Sequence, residues 1–507
     1  MCYNNGVTIL IKHAQIVDGS GCAPFKGDIF IKDGIISAIG NLGRQSADKT
    51  IMAPGLYASP GFIDVNTVSD HYLTIFTNPE QQNFLLQGVT TIVGGMCGAS
   101  LAPLLYGELN SLREWTNINQ INVDWHTVTE LFGVMKKSKT GVNFATYAGH
   151  TTIRHALIGD ALRDLTLGEL EVFEKIISDA IKEGAVGMSS GLGDVSARGT
   201  PYSELKSLLK IIAKRGGVYA THLRNETKGL MASVNETVNI SKETGAAAII
   251  SHLRPIKGFE VDFEGGLELI SRNAADADVY FDIYPSDVSH IAIYYLLPMW
   301  AQSGGLEVML QNLNNPAIRK RIYEEIKKCD LEDLSVATAC DIHYLEGKSV
   351  KEFGEARDVD VVEALLRIME LSKLRATVLY KNIDYQLTVK AMSHDRALIG
   401  SNSASFPTGA TNPKYPDRTL LKFLNIALSK KMMTLEGAVK KITGLPAKIF
   451  KLKKRGAIKE GYAADLAIFS ADAALGVEIK DVVVNGKLAV HNHELVDSSA
   501  GIASCRL

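Results

Sequence analysis

The stretch Ser59-Pro60-Gly61-Phe62-Ile63-Asp64-Val65-Asn66-Thr67-Val68-Ser69-Asp70 decides how the rest of the chain is interpreted. An apolar run at residues 62–65 follows a Pro-Gly turn signal, which predicts a short buried strand. Polar residues follow at the C-terminal end of this strand. Because side chains alternate along a strand, Asn66 and Val68 should lie on the same face.

Composition limits the possible classes of protein. The chain has 507 residues, of which 46% are hydrophobic and 22% charged, and its formal net charge is −2. This is an ordinary globular composition without a run of like charges, so we predict neither a nucleic-acid nor a membrane partner. The apolar runs are strand-length, shorter than the roughly 18–20 residues of a membrane span. The first residues lack a signal-peptide pattern and the six cysteines lack disulfide spacing, so we predict a cytoplasmic location.

A change of pattern divides the chain. From about residue 59 to 410, strand-like apolar runs alternate with amphipathic stretches, of which the clearest helices are predicted at Leu167–Glu183, Tyr202–Arg215 and Leu230–Thr244. This alternation predicts an α/β fold, most simply a (β/α)8 TIM-like barrel. Residues of about 290–350 are helix-like and interrupt the alternation, so we predict an insertion there. The two ends of the chain instead carry hairpin signals at Asp33-Gly34 and Asn485-Gly486.

Three candidate metal ligands follow predicted strands. Cys97, His222 and His252 each come directly after an apolar run, and in a barrel the strand ends and the loops after them carry the active site. A thiolate and two imidazoles form a plausible zinc set with a fourth position left open. Taken singly, each residue has an ordinary explanation, a small core cysteine or a hydrogen-bonded histidine. Three at corresponding strand ends favour the metal site.

Longer motifs resemble those of the N-acyl-D-amino-acid deacylases, or D-aminoacylases, of the amidohydrolase superfamily. The resemblance covers nearly the whole chain in order. Its motifs are Pro60-Gly61-Phe62-Ile63-Asp64, Cys97 with its glycines, Gly149-His150-Thr151-Thr152-Ile153-Arg154, Ser189-Ser190-Gly191-Leu192, Thr221-His222-Leu223-Arg224-Asn225-Glu226, Ser251-His252-Leu253, Asp282-Ile283-Tyr284-Pro285, Leu297-Pro298-Met299-Trp300, Ile442-Thr443-Gly444-Leu445-Pro446-Ala447 and Gly461-Tyr462-Ala463-Ala464-Asp465-Leu466.

The resemblance implies an architecture and a cofactor. Residues 1–58 and 456–507 would form one small β-sandwich subdomain beside a barrel at 59–455. One zinc ion would be held by Cys97, His222 and His252. Arg254, Tyr284, Ser286 and Lys414 would contact a small N-acyl amino acid or related amide. The oligomeric state stays open.

The chain also departs from the family pattern. The first strand of the family ends in His-x-His, which serves a second, more dispensable metal position, and here those positions are Asn66 and Val68. The Asp that the family uses as general base is Asn402, and a substrate-contacting Tyr is Asp194. Because an amide cannot accept a proton near neutral pH, losing the base should slow the family reaction by roughly 10²–10⁴-fold.

These departures leave three hypotheses. The first is a zinc-dependent hydrolase of an amide or related C–N bond, and the second is a catalytically silent barrel that binds a small molecule or a partner. The third is a different reaction that uses Asp70 or Asp194. Asp70, His71 and Asp194 lie near the altered strands and could form a replacement set, although solvated loop residues are the commoner explanation.

Overall fold

The computed structural model describes residues 7–113, 115–159, 161, 163–195, 197–339, 342–406 and 418–503. Its α-helices are Thr74–Thr77, Gln82–Leu85, Val128–Ser138, His150–Ile158, Leu167–Glu183, Tyr202–Arg215, Leu230–Thr244, Glu260–Arg272, Gly305–Asn314, Pro316–Ile326, Val350–Glu355, Val361–Leu371, Tyr385–Met392, Thr419–Ser429, Leu435–Ile442 and Gly444–Ile449. Short 3₁₀ helices lie at Asn110–Leu112, Ile118–Gln120, Ile293–Leu296, Met299–Ala301 and His343–Leu345. Within these residues, no helix combines the length and the apolar character needed to cross a membrane.

Parallel strands alternate with helices through the centre of the chain. One parallel sheet has the order Phe62–Asp64, Val89–Gly94, Asn143–Thr146. A second has the order Ala148–Gly149, Gly187–Gly191, Val218–His222, Ala247–Ile250, Val279–Ile283, Ala397–Ile399, and its pairings are also parallel. Parallel strands need crossover connections, which the helices supply, and the carboxyl ends of all strands in a sheet then share one edge.

The two parallel sheets touch at both of their outer edges. On one side, Asn143–Thr146 and Ala148–Gly149 are consecutive in the chain, and the Val186 N–H donates to the Thr146 carbonyl at 2.9 Å. On the other side, the Asn402 N–H donates to the Asn66 carbonyl at 2.8 Å, and Thr67 forms a parallel bridge with Ser403. The stretch that follows the first strand therefore lies directly against the residues that follow the last one.

The three clearest helices form over the predicted residues. Leu167–Glu183 shows why: Thr166 accepts from the Glu169 N–H while the Glu169 side chain returns to the Thr166 N–H, and Gly184 ends the helix in a left-handed conformation. Such a capping box satisfies two backbone donors that the first turn leaves free. The apolar side chains of these helices join the core shared with the parallel strands.

Both ends of the chain join one nine-stranded sheet. Its members are Ile9–Ile16, Phe25–Lys32, Ile35–Gly40, Lys49–Met52, Tyr57–Pro60, Leu466–Asp472, Gly476–Val484, Lys487–His491 and Glu494–Leu495. The predicted turns at Asp33-Gly34 and Asn485-Gly486 are confirmed, and all four residues have positive φ. Residues alternate between two cores: Ile468 packs in a cluster within this sheet, while Phe469 packs in the cluster of the parallel strands.

A third sheet belongs to the segment predicted as an insertion. Ser289–Ala292, Ala376–Tyr380 and Leu334–Ala339 pair in this order and are antiparallel. Together with the helices between them they have a separate apolar core. The unit therefore extends past residue 350 to Tyr380, because its last strand is the central one of the sheet. It lies close to the strand ends and contributes Tyr294 and Tyr295 to the cavity described below.

Candidate active site

Cys97, His222 and His252 converge at the carboxyl ends of the parallel strands. One ligand-capable atom from each residue lies within 4.8 Å of the other two. The Cys97 Sγ is 3.4 Å from His252 Nε2, and the two imidazole rings are perpendicular with centroids 4.6 Å apart. They line a cavity of about 660 Å³, which is the size of a small-molecule site. The sequence-based expectation that these three residues lie together agrees with this geometry.

The backbone around this cluster is unusual. Cys97, His252 and Asn402 all have positive φ values, of 51°, 38° and 49°. Non-glycine residues adopt this conformation at a cost that the surrounding structure must offset, and such residues gather at functional sites. The loop at residues 191–194 fits closely against the cluster as well, since a Cβ on Gly193 would lie 2.7 Å from His222 Nε2.

Glu226 is a site residue that the sequence analysis missed. Its carboxylate lies between His252 Nδ1, at 3.3 Å, and His222 Nε2, at 3.8 Å, and forms an ion pair with Arg254. The positive charge of Arg254 together with the histidines holds the pKa of Glu226 well below its usual range, in spite of burial. A carboxylate behind a metal-binding imidazole fixes the orientation of its ring. The sequence signal for this role of Glu226 was its position four residues after His222.

The donor set suits a zinc ion. Burial lowers the pKa of His222 to about 3, so its imidazole is neutral and can donate a lone pair. Burial and the nearby carboxylates, of which Asp194 is the first, raise the pKa of the Cys97 thiol. A divalent cation at this point would offset that negative charge and favour the thiolate, as zinc does with cysteine ligands. Cysteine sulfur and histidine nitrogen are both usual zinc ligands, and three protein ligands leave a fourth position open.

Replacing Glu226 by glutamine tests its contact with His252. The amide keeps the shape but loses the charge, so we expect zinc affinity to fall by about 10–100-fold. The measurement is zinc competition against a chelator of known affinity. Glu236→Gln is a matched control, because Glu236 forms an ion pair with Arg224 in the same region and contacts neither histidine. Equal zinc affinity in Glu226→Gln and the original chain would contradict the prediction.

The predicted second-metal position holds an amide and a methyl-bearing side chain. Asn66 Nδ2 donates to both carboxylate oxygens of Asp282, at 3.1 and 3.2 Å, and Asp282 also accepts from the His252 N–H at 3.0 Å. Burial raises the pKa of Asp282 to about 6. Val68 lines the cavity but has no lone pair to offer. The Asn66 amide nitrogen is thus engaged with Asp282, while its buried oxygen accepts no hydrogen bond from the described residues.

The predicted substrate-contacting residues are placed differently from one another. Arg254 lines the cavity, although it is 5% exposed and already paired with Glu226. Tyr284 is buried next to Arg254. Burial raises the pKa of the Tyr284 hydroxyl, and the positive charge of Arg254 offsets part of that rise. Ser286 accepts a hydrogen bond from the Val288 N–H and is not part of the cavity wall. Lys414 lies outside the described residues. Asn402 lines the cavity.

Asp70 and His71 are not solvated loop residues, which corrects the commoner explanation given above. Both side chains are 1% exposed, and His71 Nδ1 lies 3.0 Å from Asp70 Oδ1. Asp194 is half-buried and lines the cavity, where it accepts a hydrogen bond from the Tyr295 hydroxyl. Tyr295 also stacks on His222 with ring centroids 6.1 Å apart. The inserted unit therefore directly contacts the cluster formed by Cys97, His222 and His252.

The chain is similar to known amidohydrolases and deacylases. A sequence model of the amidohydrolase family matches residues 389–490. An N-acyl-D-glutamate deacylase of Alcaligenes xylosoxydans xylosoxydans is 27% identical over 499 residues, covering 94% of this chain and 92% of the relative. A D-aminoacylase of the same organism is 27% identical over 473 residues, with coverage of 91% and 87%.

Solved structures agree with this classification. The crystal structure of N-acyl-D-glutamate deacylase from Bordetella bronchiseptica, complexed with zinc and a phosphonate inhibitor that mimics the tetrahedral intermediate, superposes with a TM-score of 0.81. It is 25% identical and covers 99% of this chain and 100% of its own. An L-hydantoinase from Arthrobacter aurescens, at 17% identity and a TM-score of 0.56, shares the fold. Over nearly its whole length the chain is therefore similar to amidohydrolases, and to the D-aminoacylases and N-acyl-D-amino-acid deacylases among them.

Proposed function

We propose that this chain is a zinc-dependent hydrolase of the amide bond in a small N-acyl amino acid or a related compound. The observation that carries the proposal is the convergence of Cys97, His222 and His252 within 4.8 Å on the wall of a small-molecule cavity. The relatives described above include N-acyl-D-glutamate deacylases and a D-aminoacylase, which supports an amide substrate.

The residues present suit one ion. Cys97, His222 and His252 would hold it, and Glu226 would orient His252. When bound, zinc supplies Lewis-acid polarisation of a carbonyl and lowers the pKa of water to about 7. Val68, whose side chain offers no ligand atom where the family has a histidine, supports a one-metal site. Arg254 would face the substrate from the cavity wall. Because the Glu226 carboxylate offsets its positive charge, Arg254 would attract a substrate carboxylate less strongly than an unpaired guanidinium would.

The finer architecture is part of the same proposal. We infer that the parallel strands close into the predicted (β/α)8 barrel, supported by the contacts at both outer edges of the two sheets. We infer likewise that the nine-stranded sheet folds over its own apolar core as a β-sandwich subdomain built from residues 1–58 and 456–507. The barrel would span 59–455. The cytoplasmic location stays a prediction from the cysteine pattern.

Metal content and turnover test the proposal together. Protein purified without chelator should contain about one zinc per chain, and less than ~0.2 would contradict the site. Hydrolysis is followed on a panel of N-acetyl-D- and N-acetyl-L-amino acids. We expect turnover that is lost after zinc removal by a chelator and restored by added zinc.

A second function is favoured by one feature of the sequence. By its resemblance to the family, Asn402 would stand at the position of the family base, and an amide there cannot accept a proton. A catalytically silent protein that binds a small molecule in the same cavity would retain zinc and show no turnover on any member of the panel. Measurable zinc-dependent turnover would exclude it.

A further inference from the structure

A buried Asp–His pair, separate from Cys97, His222 and His252, places its histidine on the wall of the same cavity. His71 lines the cavity, and its Nδ1 is 3.0 Å from Asp70 Oδ1. The other oxygen, Asp70 Oδ2, accepts a hydrogen bond of 2.5 Å from the Gly95 N–H. Asp70 is therefore fixed from both sides, and it holds the imidazole of His71 in one orientation.

This contact selects the tautomer of His71. A carboxylate at Nδ1 accepts a hydrogen bond, so Nδ1 carries the proton and Nε2 keeps its lone pair. The ring also rests against Trp115, with centroids 5.5 Å apart and planes at 85°. Trp115 lines the same cavity. A buried imidazole with an oriented Nδ1–H and an available Nε2 is the arrangement that general bases use.

His71 and Asn402 line the same cavity. His71 follows directly on the stretch that pairs with the last strand, where the Val68 N–H donates to the Ser403 carbonyl at 2.9 Å and the Asn402 N–H donates to Asn66. We propose that His71 is the general base of this enzyme, in place of the carboxylate absent at Asn402, with Asp70 as its positioning residue. The inference rests on the proposed function.

The carboxylates near the cavity fit this role less well. Among the described residues that line the cavity, the carboxylates are Asp194 and Glu307. Asp194 is committed to the Tyr295 hydroxyl, and Glu307 is exposed on the inserted unit. Asp70 itself does not line the cavity, and both of its oxygens are engaged.

The proposed step balances without any further reactant. His71 Nε2 takes one proton from water as the water oxygen bonds to the amide carbonyl carbon. The C–N bond then breaks, its electron pair stays on nitrogen, and the Nε2 proton moves to that nitrogen. The products are a carboxylic acid, which ionises in water, and an amine, and His71 returns to its starting form.

His71→Asn tests the proposal, because asparagine is similar in size but cannot accept the proton. With the zinc-loaded chain and the N-acetyl amino acid that it hydrolyses best, we expect kcat to fall by about 10²–10⁴-fold with KM, zinc content and melting temperature little changed. Adding Asn402→Asp to this variant should restore much of kcat, since a carboxylate returns to the family position. Added imidazole should likewise restore turnover to His71→Ala.

The outcomes separate the two proposals. Wild-type kcat in His71→Asn overturns the role of His71 while the hydrolase proposal stands. Absence of turnover in the zinc-loaded wild-type chain overturns both. If His71→Asn does not fold, Asp70→Asn is measured instead: a lower kcat with zinc retained supports the proposal, and an unchanged kcat overturns it. His343→Asn is the matched control, since the His343 side chain is 80% exposed on the inserted unit.

Discussion

Replacing His222 by alanine is expected to remove zinc from the chain and lower turnover by about 10³-fold or more. The methyl group cannot reach the ion, and two ligands, Cys97 and His252, do not hold zinc as well as three. Losing several kcal/mol of Lewis-acid stabilisation corresponds to a factor of this size. Zinc per chain is measured by elemental analysis, and turnover on the best N-acetyl amino acid of the panel.

Folding must be separated from metal loss in this experiment. The circular-dichroism spectrum and the cooperative melting of His222→Ala should resemble those of the original chain stripped of zinc. His343→Ala should keep both zinc and turnover. A His222→Ala chain that retains one zinc and full turnover would show that the ion, if any, lies elsewhere.

The second large effect concerns stability and a buried ion pair between the terminal sheet and the parallel strands. Arg455 donates to Asp465 Oδ2, and both side chains are 6% exposed. Asp465 also accepts from Asn143 Nδ2 at 3.0 Å and from the Asn485 N–H at 2.7 Å. Asp465→Ala would leave the Arg455 charge buried without its partner, which costs about 3–5 kcal/mol.

Urea unfolding measures this loss. The midpoint of Asp465→Ala should fall clearly below that of the original chain, while Asp465→Ala combined with Arg455→Met should recover much of the difference, because no unpaired charge is then buried. Glu268→Ala is the surface control, since Glu268 pairs with Arg272 in solvent and such pairs contribute about 0–1 kcal/mol. Identical midpoints for Asp465→Ala and the original chain would contradict the expectation.

Local pattern was sufficient for much of the fold. Helices such as Leu167–Glu183 carry their own periodicity and caps, and the turn at Asn485-Gly486 depends on two residues that tolerate positive φ. The positions of Cys97, His222 and His252 after apolar strands could also be predicted, because the carboxyl ends of parallel strands share an edge. These features depend on residues close together in sequence.

The remaining site features depend on contacts between distant residues. Asn66 binds Asp282, which is 216 residues away, and nothing near either residue specifies that pairing. Asp70 and His71 resemble an exposed loop in sequence, but the structure buries them beside Trp115 and Gly95. The position of Glu226 four residues after His222 was a sequence signal, but its contacts with Arg254 and His252 depend on the fold. Burial of polar groups is decided by the whole fold.

The nine-stranded sheet has a consequence for how the chain is made. Tyr57–Pro60 pairs with Leu466–Asp472, so the ribosome finishes Tyr57–Pro60 long before its partner strand has been made. At roughly 5–20 residues per second, the wait lasts tens of seconds. During synthesis Tyr57–Pro60 has an open edge on that side, and such an edge is a template for association with other chains. Until Leu466–Asp472 emerges, we therefore expect partly made chains to associate more readily than the finished fold does.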